Sequence, residues 1–131
     1  MMRPGLNFIE SSAGSAVEAD AVEAGARYFM ISTAGAQHQV AFFDAVRRAL
    51  PLNPPIHGNG SWDALLDSLR EGIYELNEPL VLLLWTGAAD LASADPKGYQ
   101  NALSVLTAVS EDLADPEYAE ERLTRLCCYI A

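Results

Sequence analysis

Three carboxylates, Asp63, Asp67 and Glu71, recur at every fourth position of the stretch "GNGSWDALLDSLREG", residues 58 to 72. Residues four apart on an α-helix lie one above another, so these three would form a ridge along one side. Like charges at that spacing repel by about 0.2–0.5 kcal/mol per pair. Only Arg70 is close enough in sequence to offset them, by pairing with Asp67 at i, i+3. A row of carboxylate oxygens can hold a hard cation, move a proton, or face the arginines and lysines of another macromolecule. One helix supplies metal ligands from one side only, and no D-x-D-x-D-G loop completes a cage, so no metal is expected. The plainest alternative is a solvated helix face.

Other chemistry is sparse. The chain has no G-x-G-x-x-G after a strand, no P-loop lysine, no H-E-x-x-H and no G-x-S-x-G. His38 and His57 are the only histidines, and neither has a nucleophile beside it in sequence. "HGNG" follows two prolines and is a poor phosphate cradle. Cys127 and Cys128 are the only cysteines. Adjacent strand residues point to opposite faces, so they make a poor disulfide, and no cysteine zinc site can form. No cofactor is expected.

Charge narrows the partners. The 131 residues carry 18 acids and 8 bases, a formal net charge of -10. Residues 63–78 hold five acids and one base, and residues 111–121 hold six acids and no base. Such a field repels phosphate backbones, which argues against direct nucleic-acid binding. It attracts a basic protein and speeds the encounter at low salt. The same acidity argues against self-association, so a monomer is expected when free. The first twenty residues lack the continuous apolar core of a signal peptide, and "PLVLLLW" is too short to span a membrane. A reduced, cytoplasmic setting follows as the expectation.

Elements must position the ridge. Half of the residues are hydrophobic, enough for one cored domain. Residues 1–25, rich in Ala, Ser, Gly and Glu with an apolar patch at Leu6, Phe8 and Ile9, read as a partly mobile N-terminal extension able to lay an extra segment on the domain, and residues 26–131 as the domain. "ARYFMIS" is the first strand. A helix follows over residues 37–49, with Val40, Phe43, Val46 and Leu50 on one face, stopping before Pro51. After the loop "PLNPPIHGNG", Ser61 caps the helix that bears the ridge. Asp63 falls in its first turn, where the helix dipole favours a negative charge; Asp67 and Glu71 lie too far along to gain. "PLVLLLWTG" is apolar on both alternating sets, the pattern of a strand covered on two faces. A short turn or helix near residues 89–94 leads to "DPKG", and a longer helix over residues 99–114 buries Leu103, Leu106, Val109 and Leu113. "DPEYAEER" connects to a final strand, "LTRLCCYIA". Strands separated by helical crossovers imply an α/β domain with a parallel sheet of three strands.

The stretches "ALPLNPPIHGNGSWDALLDSL", "PLVLLLW" and "SVLTAVSED" together resemble the barstar family of ribonuclease inhibitors, over residues 26–131 in the same element order. The most specific part is "GSWDALLDSL". The resemblance implies a compact domain with a three-stranded parallel sheet packed with helices. It also implies a non-enzymatic activity, in which acids of the second helix and its preceding loop plug the active site of a basic extracellular or toxin ribonuclease. Asp63 and Asp67 match the family's two helix aspartates, and Glu111 matches an acidic contact on the late helix. Leu66 stands where barstar itself has an aromatic residue. Ile56 and His57 replace its tyrosine-bearing loop, which gains about one residue near Gly58 to Gly60. With Glu71 continuing the ridge, these seven residues are the expected partner-facing set. An immunity-type inhibitor is the leading expectation. An interaction module with a non-nuclease partner comes second, and a small carboxylate-dependent hydrolase third.

Overall fold

The computed structural model describes residues 2–131. Its centre is a four-stranded sheet, formed by β1 (Gly5–Phe8), β2 (Arg27–Ser32), β3 (Leu80–Thr86) and β4 (Arg125–Ile130) in the order β1-β4-β3-β2. All three pairings are parallel; Val81 lies opposite Arg27 on one side and Leu126 on the other. The helices are α1 (Gly14–Ala24), α2 (Val40–Ala49), α3 (Trp62–Glu75), α4 (Ala88–Ala94), α5 (Pro96–Leu113) and α6 (Pro116–Ala119).

The expectation of three strands is corrected to four. The extra strand comes from the segment read as an extension: Gly5, Leu6, Asn7 and Phe8 pair with Cys127, Cys128, Tyr129 and Ile130. Leu6 and Phe8 give the segment an apolar patch, but four residues with one glycine are too short to announce a strand alone, and β1 forms where β4 offers it an edge. That pairing makes β4 an interior strand, and Leu126 through Ile130 are all buried.

Both faces of the sheet are covered, which accounts for the unbroken apolar run of β3. Val81, Leu83 and Trp85 enter the larger core with Phe42, Phe43, Val46, Leu65, Leu69, Ile73, Leu106 and Val109. Leu82 and Leu84 enter a smaller core on the other face, with Val17 and Ala21 of α1 and with Cys127 and Tyr129. Cys127 and Cys128 thus point to opposite sides, both free, and burial pushes both thiols up from their ordinary range.

α2 begins at Val40 rather than near residue 37, and the starts of α5 and α6 differ from the sequence expectation for one shared reason. α5 begins at Pro96 rather than near residue 99, because Asp95 accepts from the Gly98 N–H at 3.0 Å and proline suits the first helical position. The second oxygen of Asp95 accepts from the Gln39 N–H at 2.9 Å, where α2 begins. A second Asp-Pro pair, Asp115-Pro116, likewise starts α6 inside a stretch expected to be a connection, with Asp115 accepting from the Glu117 N–H. Asp95 therefore caps two helices at once. The hydrogen bond from the Gly98 N–H holds its carboxyl below the usual carboxylate range; desolvation opposes this, while the Gln39 N–H and nearby His38 assist. A depressed folded value means the stabilisation is fully present above the unfolded carboxylate pKa and is lost as pH falls through the folded one. Asp95→Asn is expected to flatten the acid limb of the stability profile, and Asp95→Ala to lower the urea midpoint most at neutral pH, the gap to wild type narrowing as pH falls. Midpoints measured through the acid range check this; an Asp95→Asn profile identical to wild type would contradict it.

Candidate functional site

α3 has three faces with different jobs. Ser61 Oγ accepts from the Ala64 N–H at 3.1 Å and starts the helix. The core face carries Leu65, Leu69 and Ile73, all buried, and Trp62, whose ring lies 4.7 Å from Phe43 and 6.0 Å from Phe42. A second face is made of small residues. Ser68 and Gly72, both buried and four apart, let the strap of residues 51–54 lie against the helix. The Ser68 carbonyl accepts from the Asn53 N–H at 3.0 Å, its hydroxyl donates to the Pro54 carbonyl, and Asn53 Nδ2 donates to Glu75. The third face bears Asp63, Asp67, Arg70 and Glu71.

Along that third face the carboxylates become progressively more engaged. Asp63 is exposed and makes no hydrogen bond or ion pair among the described residues. Asp67, its side chain 69 % exposed, accepts from Arg70 Nη2 at 2.9 Å through Oδ1. Arg70 also reaches across to α5, where Nη1 donates to Asp112 Oδ2 at 2.7 Å, and its guanidinium lies 4.7 Å from the centre of the Tyr118 ring. Burial works against the Arg70 charge, but Asp112 first, then Tyr118 and Asp67, raise its pKa above the ordinary arginine value. Glu71 is half-buried and accepts from the Tyr118 hydroxyl at 2.7 Å. Burial and then that bond to Glu71 push the Tyr118 phenol up to about 12. The ring of Tyr118 meets Tyr74 edge-on at 5.5 Å, and Arg122 stacks on Tyr74 at 4.2 Å. The repulsion built into the ridge is therefore relieved at its C-terminal end by one arginine and one phenol.

The loop before α3 is anchored from behind. Arg47 Nη1 donates to the Gly58 carbonyl at 3.0 Å, Arg47 Nη2 pairs with Asp44 and with Asn59 Oδ1, and Gln39 Nε2 donates to the Asn59 carbonyl at 3.1 Å. Ile56 is half-buried and packs on the main core; His57 is exposed, with no acid, base or nucleophile bonded to it among the described residues. Leu66 is half-buried against the same core. Glu111 is exposed near the C-terminus of α5, beside Asp112.

The packing of α3 against α5 brings Asp67 and Asp112 onto a shared cation, which places Glu111 on the helix adjoining the ridge. The loop residues Ile56 and His57 come just before α3. Glu71, expected to be exposed, is instead tied inward. Asp112 and Tyr118 were not singled out by the sequence. The signal for Asp112 was present, because Arg70 is the lone base of one acidic stretch and Asp112 lies in the other. Nothing in the sequence signalled Tyr118. No group of three or more His, Cys, Asp or Glu is placed to hold a metal ion among the described residues, and no helix there is long and apolar enough to cross a membrane.

The arrangement offers a surface, not a cavity: free carboxylate oxygens on a rigid helix, next to a pinned loop. It can accept hydrogen bonds from cations and can occupy positions that phosphates would take. A comparison with protein-family models matches residues 26–129 to the family described as Barstar (barnase inhibitor). The match begins directly before β2, so β1 and α1 lie outside it. Neither the curated proteins nor the solved structures provide a match.

Proposed function

The chain belongs to the barstar family, and from that premise we propose that it is a non-enzymatic inhibitor of the immunity or antitoxin type, which binds a basic ribonuclease and occludes its active site. The partner is a secreted or toxin nuclease, met while still in the producer's cytoplasm, and the inhibitor is a monomer when free. The observation that carries this reading is the row of outward carboxylates: among the described residues Asp63 has no partner and Asp67 has one oxygen unused, and exposed Glu111 lies on the adjoining helix. Cationic nuclease clefts are built to hold phosphate oxygens, and carboxylate oxygens on a rigid helix satisfy the same donors. Charge-assisted hydrogen bonds of that kind are the strong ones. Ile56, His57 and Leu66 would border the contact, and Glu71 would act through Tyr118 as a support more than as a contact.

Titrating the protein against a panel of basic ribonucleases with a fluorogenic RNA tests this. At least one enzyme is expected to be inhibited at a one-to-one ratio, with an association rate that falls as salt rises. Failure to inhibit any of them would remove the inhibitor reading. It would favour the second reading, an interaction module with a non-nuclease partner. What speaks for that second reading is Leu66: it packs half-buried into the core and offers no aromatic plane at the centre of the surface.

A further inference from the structure

We propose that Arg70 is a specificity-determining residue of the ridge: a built-in counter-ion that closes Asp67 to a partner's guanidinium and moves cation recognition to Asp63. This deepens the inhibitor reading and rests on it for the identity of the face, but the chemistry can be tested without any nuclease.

The geometry points this way from both ends of the ridge. An arginine grips a carboxylate best as a fork, with two parallel N–H···O bonds to its two oxygens. At Asp67 one oxygen already accepts from Arg70 at 2.9 Å, so an incoming fork finds half of its target occupied. Its positive charge would also lie beside that of Arg70, within the range where like charges disfavour one another. Arg70 is poorly placed to step aside. It is held by Asp112 at 2.7 Å, it stacks on Tyr118 at 4.7 Å, and its side chain is only 24 % exposed. Swinging out would strip Asp112 of its cation and break the stack. One turn further on, Glu71 is half-buried and already accepts from the Tyr118 hydroxyl. One turn back, Asp63 is exposed and both its oxygens are free. It lies in the first turn of α3, where the helix dipole favours a negative charge without using those oxygens.

Arg70 also fixes the rotamer of Asp67, which by itself would help binding. Ordering one short side chain saves little, however, whereas a blocked fork and an adjacent like charge in a desolvated contact cost more. Exclusion is the larger effect.

The experiment uses the full chain and a hexa-arginine peptide, following the side-chain carboxyl carbon resonances of Asp63 and Asp67 by NMR. In the wild-type protein the Asp63 resonance is expected to move several-fold more than that of Asp67 on saturation. In Arg70→Met, which keeps an unbranched stem against Tyr118, the Asp67 response should rise to match. Arg70→Lys restores the charge and should return the preference for Asp63. Equal responses in the wild type, an unchanged ratio in Arg70→Met, or no response at either carboxylate would each overturn the assignment. A fall in the melting temperature of Arg70→Met with the ratio unchanged would likewise overturn it, by showing that Arg70 only supports the fold. Because no nuclease takes part, a panel without any inhibited enzyme would sink the inhibitor reading and leave the Arg70 result to stand or fall alone.

Discussion

Replacing Asp63 and Asp67 together by alanine is expected to weaken the complex with a basic ribonuclease about a thousandfold, about 4 kcal/mol, while leaving the fold nearly as stable as before. Truncating one side of a buried, hydrogen-bonded charge pair costs about 2–5 kcal/mol, largely because the partner's cation is left desolvated with nothing to neutralise it. The folding cost should be small. Asp63 gives up a dipole contribution of about 0.3–1 kcal/mol. Asp67 gives up an exposed ion pair of about 0.2–1 kcal/mol, and Arg70 keeps Asp112. The dissociation rate should rise most, since affinity changes within one interface are mostly changes in release. The matched control is Glu18→Ala with Asp20→Ala, two exposed acids of α1, the helix that covers the sheet's other face. That pair removes the same net charge and should slow association by less than about tenfold, through weaker steering alone. If both double variants lost the same affinity, the total charge would be acting and the ridge would not. Between the single variants, the Arg70 assignment makes Asp63→Ala the costlier one.

How far the sequence reaches is clearest at β3 and α3. The apolar run from Leu80 to Trp85 announces a strand with cover on two faces, and it has that cover. It does not say what supplies the second cover. α1 combines alanine with acidic residues and buries only Val17 and Ala21, so its own pattern is faint and its position depends on β1 having found the edge of β4. For α3, the Ser61 cap and the spacing of Leu65, Leu69 and Ile73 are local, and local signals place a helix well. The ridge of Asp63, Asp67 and Glu71 is legible for the same reason. Which of its oxygens remain free is not local. Asp112 lies 42 residues beyond Arg70 and Tyr118 lies 47 beyond Glu71. Both reach the ridge only through the packing of α5 and α6 on α3. The two Asp-Pro helix starts were legible and easily mistaken for turns, since the same pair opens both.

Gly72→Ala should destabilise the domain by about 3 kcal/mol or more, a large loss for adding a single methyl group. Alanine is ordinarily the better helix former, by roughly 0.8–1 kcal/mol, so propensity alone predicts the opposite sign. The neighbour decides. A Cβ at position 72 would lie 2.1 Å from the Pro51 carbonyl oxygen and 2.5 Å from its carbon, both backbone atoms that cannot rotate away. Relief requires lifting the strap of residues 51–54 off α3. That strap is fastened one turn earlier by the Asn53 N–H to the Ser68 carbonyl at 3.0 Å and by the Ser68 hydroxyl to the Pro54 carbonyl. Those bonds would stretch or break, and Ser68, buried, would be left without its acceptor. The strap continues into the loop at Ile56 and His57, so lifting it should also loosen the chain just before Asp63. Gly60→Ala is the contrast in the same region: a Cβ there meets nothing within 4 Å. It should change stability little or raise it by about 0.4–1 kcal/mol through a stiffer unfolded chain. Thermal unfolding of the two variants should therefore separate by on the order of 10 °C. A Gly72→Ala protein as stable as wild type would mean that the strap does not lie on the small face of α3, and that the loop leading to the ridge is held by Arg47, Gln39 and the packing of Ile56 instead.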